Sequence, residues 1–107
     1  MLNKFTFTKI GMELYRIKHK PTGLYVTPNK RGDGNLSKKG EIYKTPYRWT
    51  TLQKYPDVRV WGELASRIHK GEFGEFEFGL SEWGNTLTIR LYDPTQFEKE
   101  VLTIIES

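Results

Sequence analysis

The sequence predicts an α+β domain: an antiparallel sheet of about five or six strands, with a C-terminal helix packed on one face. Apolar and polar residues alternate with period two over 13–20 and again over 76–91, a pattern typical of half-buried strands. A helix-start signature at 93–96 precedes an apolar stripe at helical spacing. The middle of the chain leaves room for one further helix on the same face. We expect a single domain over residues 1–107, because either half would be too small to fold alone.

The first hairpin is predicted from its alternation and its turn. Residues 13–20 alternate apolar and basic side chains, and Pro21 and Gly23 suit the second and fourth positions of a type I turn. The apolar alternation resumes at Leu24. We choose the register in which His19 faces Leu24, because a one-residue slip would turn the apolar side chains of the second strand outward.

Four other segments of the first half are assigned by composition. Lys4–Thr8 alternates with period two and predicts a short strand. Residues 28–34 contain two glycines and no apolar side chain, so we expect an exposed loop. Residues 35–40 predict a second turn that leads into a strand at Glu41–Lys44. Residues 45–57 contain two prolines and receive no assignment.

Two alternatives stay open for the stretch that follows. Apolar residues at helical spacing predict a helix from Asp57, as its cap, to Lys70, with Gly71 ending it. Gly62 would lie inside that helix and cost about 1 kcal/mol relative to alanine. The alternative is therefore an extended segment over 58–61.

The C-terminal third predicts a hairpin followed by the helix. Phe76, Phe78 and Leu80 alternate with glutamates, and a turn signal at 82–85 separates them from a second alternating run over 87–91. On the wet face of this hairpin, Arg90 is placed to pair with a glutamate. The helix begins with a cap, a proline and a glutamine, and its apolar stripe consists of Phe97, Val101, Ile104 and Ile105.

Charge is distributed unevenly along the chain. Residues 1–60 carry 13 Lys/Arg and 4 Asp/Glu, whereas residues 61–107 carry 4 and 9, within a net charge of +4. A basic surface of this kind attracts phosphates or an acidic partner. The alternative is that the two halves pack together and neutralise each other.

Several classes of function are disfavoured by what the sequence lacks. There is no cysteine, no apolar run of about 20 residues and no signal-peptide pattern near residue 1, so we expect a cytoplasmic protein with no membrane contact. No phosphate loop, nucleophile elbow or zinc-protease motif occurs, and no cofactor or metal is expected. His19 and His69 fall on different elements, where structural roles are favoured. The glutamates of 72–82 are the remaining basis for a small metal-dependent hydrolase, an interpretation that we rank last behind a solvated charged face.

Binding is better supported than catalysis. Basic side chains project from one strand face beside a tyrosine, and others lie in the neighbouring loop and turn. Such a face can hold phosphates while a base stacks on the ring, so an RNA- or DNA-binding module is one hypothesis. Lysines on a sheet also prevent edge-to-edge aggregation, which is a purely structural alternative. The candidate contact residues are Arg16, Lys18, Lys20, Tyr25, Lys30, Arg31, Lys38 and Lys39.

Residues 15–44 also carry a resemblance. The run Tyr15-Arg16-Ile17-Lys18-His19-Lys20-Pro21-Thr22-Gly23-Leu24-Tyr25, with Asn35-Leu36-Ser37-Lys38-Lys39-Gly40-Glu41-Ile42-Tyr43 after it, resembles small proteins of tailed bacteriophages that have no established activity. The resemblance implies a phage origin. It also implies an accessory role, in which the protein binds a host enzyme, a defence component or nucleic acid.

The first hypothesis is therefore a non-enzymatic phage accessory protein. It would bind and modulate a host macromolecule, in host takeover or counter-defence, through the basic hairpin. Charge steering would speed the encounter with its partner.

Overall fold

The structure, a computed structural model, describes residues 14–28, 34–83 and 86–102. The predicted strand Lys4–Thr8 and the tip of the C-terminal hairpin at 84–85 lie outside these ranges. The described residues form β1 (Leu14–His19), β2 (Leu24–Pro28), β3 (Gly34–Ser37), α1 (Tyr47–Lys54), β4 (Val58–Trp61), α2 (Glu63–His69), β5 (Gly79–Trp83), β6 (Thr86–Leu91), a 3-10 turn (Pro94–Gln96) and β7 (Phe97–Leu102).

The strands form two antiparallel sheets rather than one sheet of five or six strands, so that prediction is wrong. A four-stranded sheet has the order β3-β2-β1-β7, and a three-stranded sheet has the order β4-β6-β5. Strands β3 and β4 join the two sheets through one parallel pair, Gly34 and Val58. One inner face runs across this junction and carries the common core, against which both helices pack.

The hairpin of β1 and β2 has the predicted register. His19 pairs with Leu24 and Lys18 with Tyr25. The turn closes through a hydrogen bond from the Gly23 N–H to the His19 carbonyl, 2.8 Å long. Tyr15, Ile17 and His19 are buried on the inner face, as the alternation predicts.

Residues 58–61 form a strand, which is the extended alternative of the two predictions for this segment. Val58 and Val60 point into the core, while Arg59 and Trp61 point outward, so β4 occupies the residues that could have begun a longer helix. Helix α2 starts only after Gly62, whose φ of 77° belongs to the left-handed region that favours glycine. The helix ends near Lys70 as predicted.

Up to Leu102, where the described residues end, the chain forms a strand in place of the predicted C-terminal helix, and the prediction is wrong. The Asp93 side chain does accept from the Thr95 N–H at 3.0 Å, but the helical geometry stops after the single 3-10 turn. From Phe97 to Leu102 the chain pairs with β1 over six residue pairs. Phe97 and Val101 are four residues apart, which places them on one face of a strand as well as one face of a helix. The apolar stripe could not distinguish the two.

Two predicted strands are also displaced. The strand expected over Glu41–Lys44 is reduced to one bridge, in which Tyr43 exchanges backbone hydrogen bonds with Tyr15. The predicted second turn at 35–40 begins only after Ser37, because the preceding residues form β3. The C-terminal hairpin is present, but its first strand begins at Gly79. Residues 70–78 before it form an irregular segment, which we call the strap.

Tyr15 links the sheet to the first helix. Its side chain is 1% exposed, and its hydroxyl donates to the Thr45 carbonyl and accepts from the Trp49 N–H at 3.2 Å. Helix α1 has no side-chain cap at its N-terminus, so this hydroxyl satisfies one of the free N–H groups of its first turn. Leu52 of α1 and Ile68 of α2 complete the core layer.

Candidate functional site

The outer face of the four-stranded sheet brings together much of the predicted binding set. Arg16 and Lys18 of β1 project from this face, and Tyr25 of β2 lies directly opposite Lys18. Lys38 and Lys39 follow β3 in an exposed turn, and the Lys39 carbonyl lies 3.5 Å from Nη1 of Arg16. We call this surface the lysine face and define it by Arg16, Lys18, Tyr25, Lys38 and Lys39. Lys20 lies at the turn beyond it, while Lys30 and Arg31 lie outside the described residues.

An ion pair neutralises the arginine of this face. Nη2 of Arg16 donates to Oε1 of Glu100 at 2.6 Å, and the hydroxyl of Tyr25 donates to the same carboxylate at 3.0–3.1 Å. The guanidinium carbon of Arg16 lies 4.0 Å from the centre of the Tyr25 ring. The hydrogen bond from Arg16 holds the pKa of Glu100 below its usual value, and the hydrogen bond from Tyr25 adds a smaller effect in the same direction.

This arrangement changes the expected role of Tyr25. One side of its ring is covered by the Arg16 guanidinium, and Gly40 packs so closely that an added Cβ would lie 2.3 Å from the Tyr25 Cβ. The ring is therefore a positioned support for Arg16 rather than a free platform for a base. Glu98 pairs with Lys18 across β1 and β7, so the face carries both signs of charge.

The two histidines occupy different environments. His19 is completely buried: its Nε2 lies 2.9 Å from Oε1 of Gln96, and its Nδ1 lies 3.0 Å from the Thr22 hydroxyl. Because the Gln96 amide nitrogen donates to the Glu77 carbonyl, its oxygen must accept from His19, which assigns the proton to Nε2. Burial lowers the pKa of His19 below 6.5, against a smaller opposing effect of the Gln96 hydrogen bond. His69 is exposed in the last turn of α2.

The glutamates of 72–82 are spread along an exposed strap. Glu72 forms an ion pair with Arg67 at 2.9 Å, and Glu75 and Glu77 point outward between phenylalanines that pack on the core. The side chain of Glu82 lies outside the described part of the chain. Across the described ranges, no three His, Asp or Glu side chains come together as a metal site.

A small cavity lies under α1. Its volume is about 250 Å³, and its wall combines apolar side chains with Tyr43 and Arg48. Burial raises the pKa of Tyr43 to about 12, against the opposing charge of Arg48. The cavity is smaller than the roughly 300–1,000 Å³ that ligand pockets typically occupy.

Sequence reasoning missed a second polar cluster, on the outer face of the three-stranded sheet. Arg59 and Arg90 lie opposite each other, and both donate to Asp57. Asp57 is thus the partner of Arg90, where a glutamate was expected. Trp61 and Tyr92 are exposed beside this cluster. The alternation of residues 58–61 was the available signal, since it places Arg59 and Trp61 on one face of any strand.

Comparison with known proteins adds no relative to this picture. No protein-family model, curated protein or solved structure is detectably similar to the chain. None of the helices in the described residues is both long enough and apolar enough to span a membrane.

Proposed function

We propose that the protein is a non-enzymatic phage accessory protein that binds and modulates a host protein through the lysine face. The observation that carries the proposal is the Arg16–Glu100 ion pair, with Lys18 on the same strand face as Arg16 and with Lys38 and Lys39 in the exposed turn whose Lys39 carbonyl lies 3.5 Å from Arg16. Both helices pack on the opposite, inner face of the sheet, so neither helix covers this outer face.

The pattern of charge favours a protein partner over nucleic acid. Glu98 and Glu100 lie in the strand next to the basic one, and a phosphate backbone laid across β1 would meet both carboxylates. A protein surface can instead match each sign with its opposite, which improves specificity and speeds encounter. Ion pairing also holds Arg16 and Tyr25 in place, which lowers the entropy that binding must remove.

The remaining features support the same proposal. Residues 15–44 resemble small phage proteins that have no established activity, and phage accessory proteins of this size often bind host components. The sequence contains no phosphate loop, nucleophile elbow or zinc-protease motif, and the cytoplasm of the host is the compartment that fits a chain without cysteine.

The test is affinity capture from host lysate, with and without nuclease treatment, using matched charge variants. One triple variant, Lys18→Gln, Lys38→Gln and Lys39→Gln, removes three charges from the lysine face. The control variant, Lys44→Gln, Lys54→Gln and Lys70→Gln, removes three charges from residues outside that face. Circular dichroism and urea unfolding verify that both variants fold.

The proposal requires a stoichiometric host protein that the wild type and the control variant retain and the lysine-face variant loses. Equal loss in both variants would show that net charge alone governs binding and would overturn the proposal. Capture that disappears with nuclease and is also lost in the lysine-face variant would assign the face to nucleic acid instead.

A further inference from the structure

The outer face of the three-stranded sheet carries two arginines that face each other. Arg59 of β4 and Arg90 of β6 are directly opposite in the antiparallel register, with side chains 48% and 54% exposed. Like charges in this position destabilise a strand pair unless a counter-charge lies between them. In the described part of the chain, Asp57 supplies that counter-charge.

Asp57 accepts a hydrogen bond from only one nitrogen, Nε, of each guanidinium. Its Oδ1 accepts from Nε of Arg90 at 2.9 Å and from Nε of Arg59 at 3.4 Å. Within the described ranges, the terminal Nη groups of both arginines donate to no protein acceptor. Two cations and one anion leave the cluster with one excess positive charge. A guanidinium whose Nη groups are free presents a fork that suits phosphate oxygens.

Two exposed aromatic rings flank the arginines. Trp61 lies two residues beyond Arg59 on the same face and is 38% exposed, and Tyr92 lies two residues beyond Arg90 and is 42% exposed. The Tyr92 ring rests against Gly79, where an added Cβ would lie 3.7 Å from its Cε1. If the pairing of β4 with β6 is continued by one residue, Tyr92 lies opposite Asp57. The two rings are then about four residue steps apart, on the order of 13 Å.

We infer that this face binds single-stranded nucleic acid. A phosphate would lie between Arg59 and Arg90, and bases on either side would stack on Trp61 and Tyr92. Exposed rings next to a cationic track are the features that bind single strands without reading sequence, whereas duplex bases are hidden from such rings. The inference goes beyond the proposed protein partner, because it uses the other sheet and none of the lysine-face residues.

The test is fluorescence anisotropy with labelled 12-nucleotide oligo(U) and oligo(dT), titrated at several salt concentrations. The first variant is Arg59→Gln with Arg90→Gln, and its matched control is Arg48→Gln with Arg67→Gln, which removes the same charge from the helical side. Trp61→Ala and Trp61→Phe test stacking separately. The lysine-face triple variant is included so that this inference and the proposed function can fail independently.

We expect the Arg59/Arg90 variant to lower the slope of log K against log salt by about 0.7, the value for the one phosphate contact to a single strand that both arginines share. Trp61→Ala should weaken binding about 5- to 150-fold, with partial recovery in Trp61→Phe. The Arg48/Arg67 control should retain the wild-type slope. Absence of oligonucleotide binding at low salt, equal loss in the control, or equally tight binding of a 12-base-pair duplex would each overturn the inference.

Discussion

The buried histidine makes stability depend on pH in a predictable way. His19 is fully buried and its pKa is lowered by that burial, whereas an unfolded chain has an ordinary value of 6.5. The unfolded state therefore binds a proton as the pH falls through 6.5, whereas the folded state binds one only at lower pH. Stability is complete above pH 6.5 and is lost as the solution becomes more acidic. Between pH 7.5 and 5.5 the free energy of unfolding should fall by up to about 1.4 kcal/mol, the limit for one proton taken up by an unfolded histidine.

The assay is urea unfolding followed by tryptophan fluorescence at pH 5.5, 6.5 and 7.5. Glu100, whose pKa is lowered by its hydrogen bond from Arg16, loses its contribution only below about pH 4.5, outside this window. His19→Gln should cost about 1–3 kcal/mol at pH 7.5, because it disturbs a buried hydrogen-bond network, and should remove the pH dependence. His69→Gln is the matched control and should retain it. A flat wild-type curve, or a His19→Gln variant with the full slope, would refute this account of the core.

Two further predictions concern packing. Tyr15→Phe should destabilise the protein by about 1–3 kcal/mol, measured by urea unfolding, because the Thr45 carbonyl and a backbone N–H of α1 lose their common partner; a change below about 0.5 kcal/mol would contradict the role given to this hydroxyl. Gly40→Ala should cost about 2–5 kcal/mol, because the residue has φ of 72° and its new Cβ would overlap Tyr25. Gly23→Ala, at φ of 73° with open space around it, isolates the backbone strain and should cost clearly less.

Local patterns predicted the elements that local contacts build. The first hairpin has its predicted pairing of His19 with Leu24, because a short turn and one apolar face leave few alternative registers. The prediction of a C-terminal helix was wrong because the choice between helix and strand depended on a distant partner strand. Strand β7 pairs with β1, some eighty residues earlier, and the spacing of Phe97 and Val101 satisfies either structure.

The candidate site was predictable in its residue types but not in its pairing. The alternation of β1 placed Arg16 and Lys18 on one face, as the structure does. The ion pair of Arg16 with Glu100 joins residues 84 positions apart, and no sequence pattern connects them. The pairing of Arg59 and Arg90 with Asp57 was missed for the same reason, since Asp57 meets Arg90 only after the sheet has formed.

Lysine reactivity tests the central claim most directly. The complex of the protein with its captured host partner is treated with an acetylating reagent, and modification at each lysine is compared with that of the free protein by mass spectrometry. The account predicts that Lys18, Lys38 and Lys39 become protected while Lys54 and Lys70, at the ends of the two helices, keep their reactivity. Protection of Lys54 and Lys70 with an unchanged lysine face would contradict it.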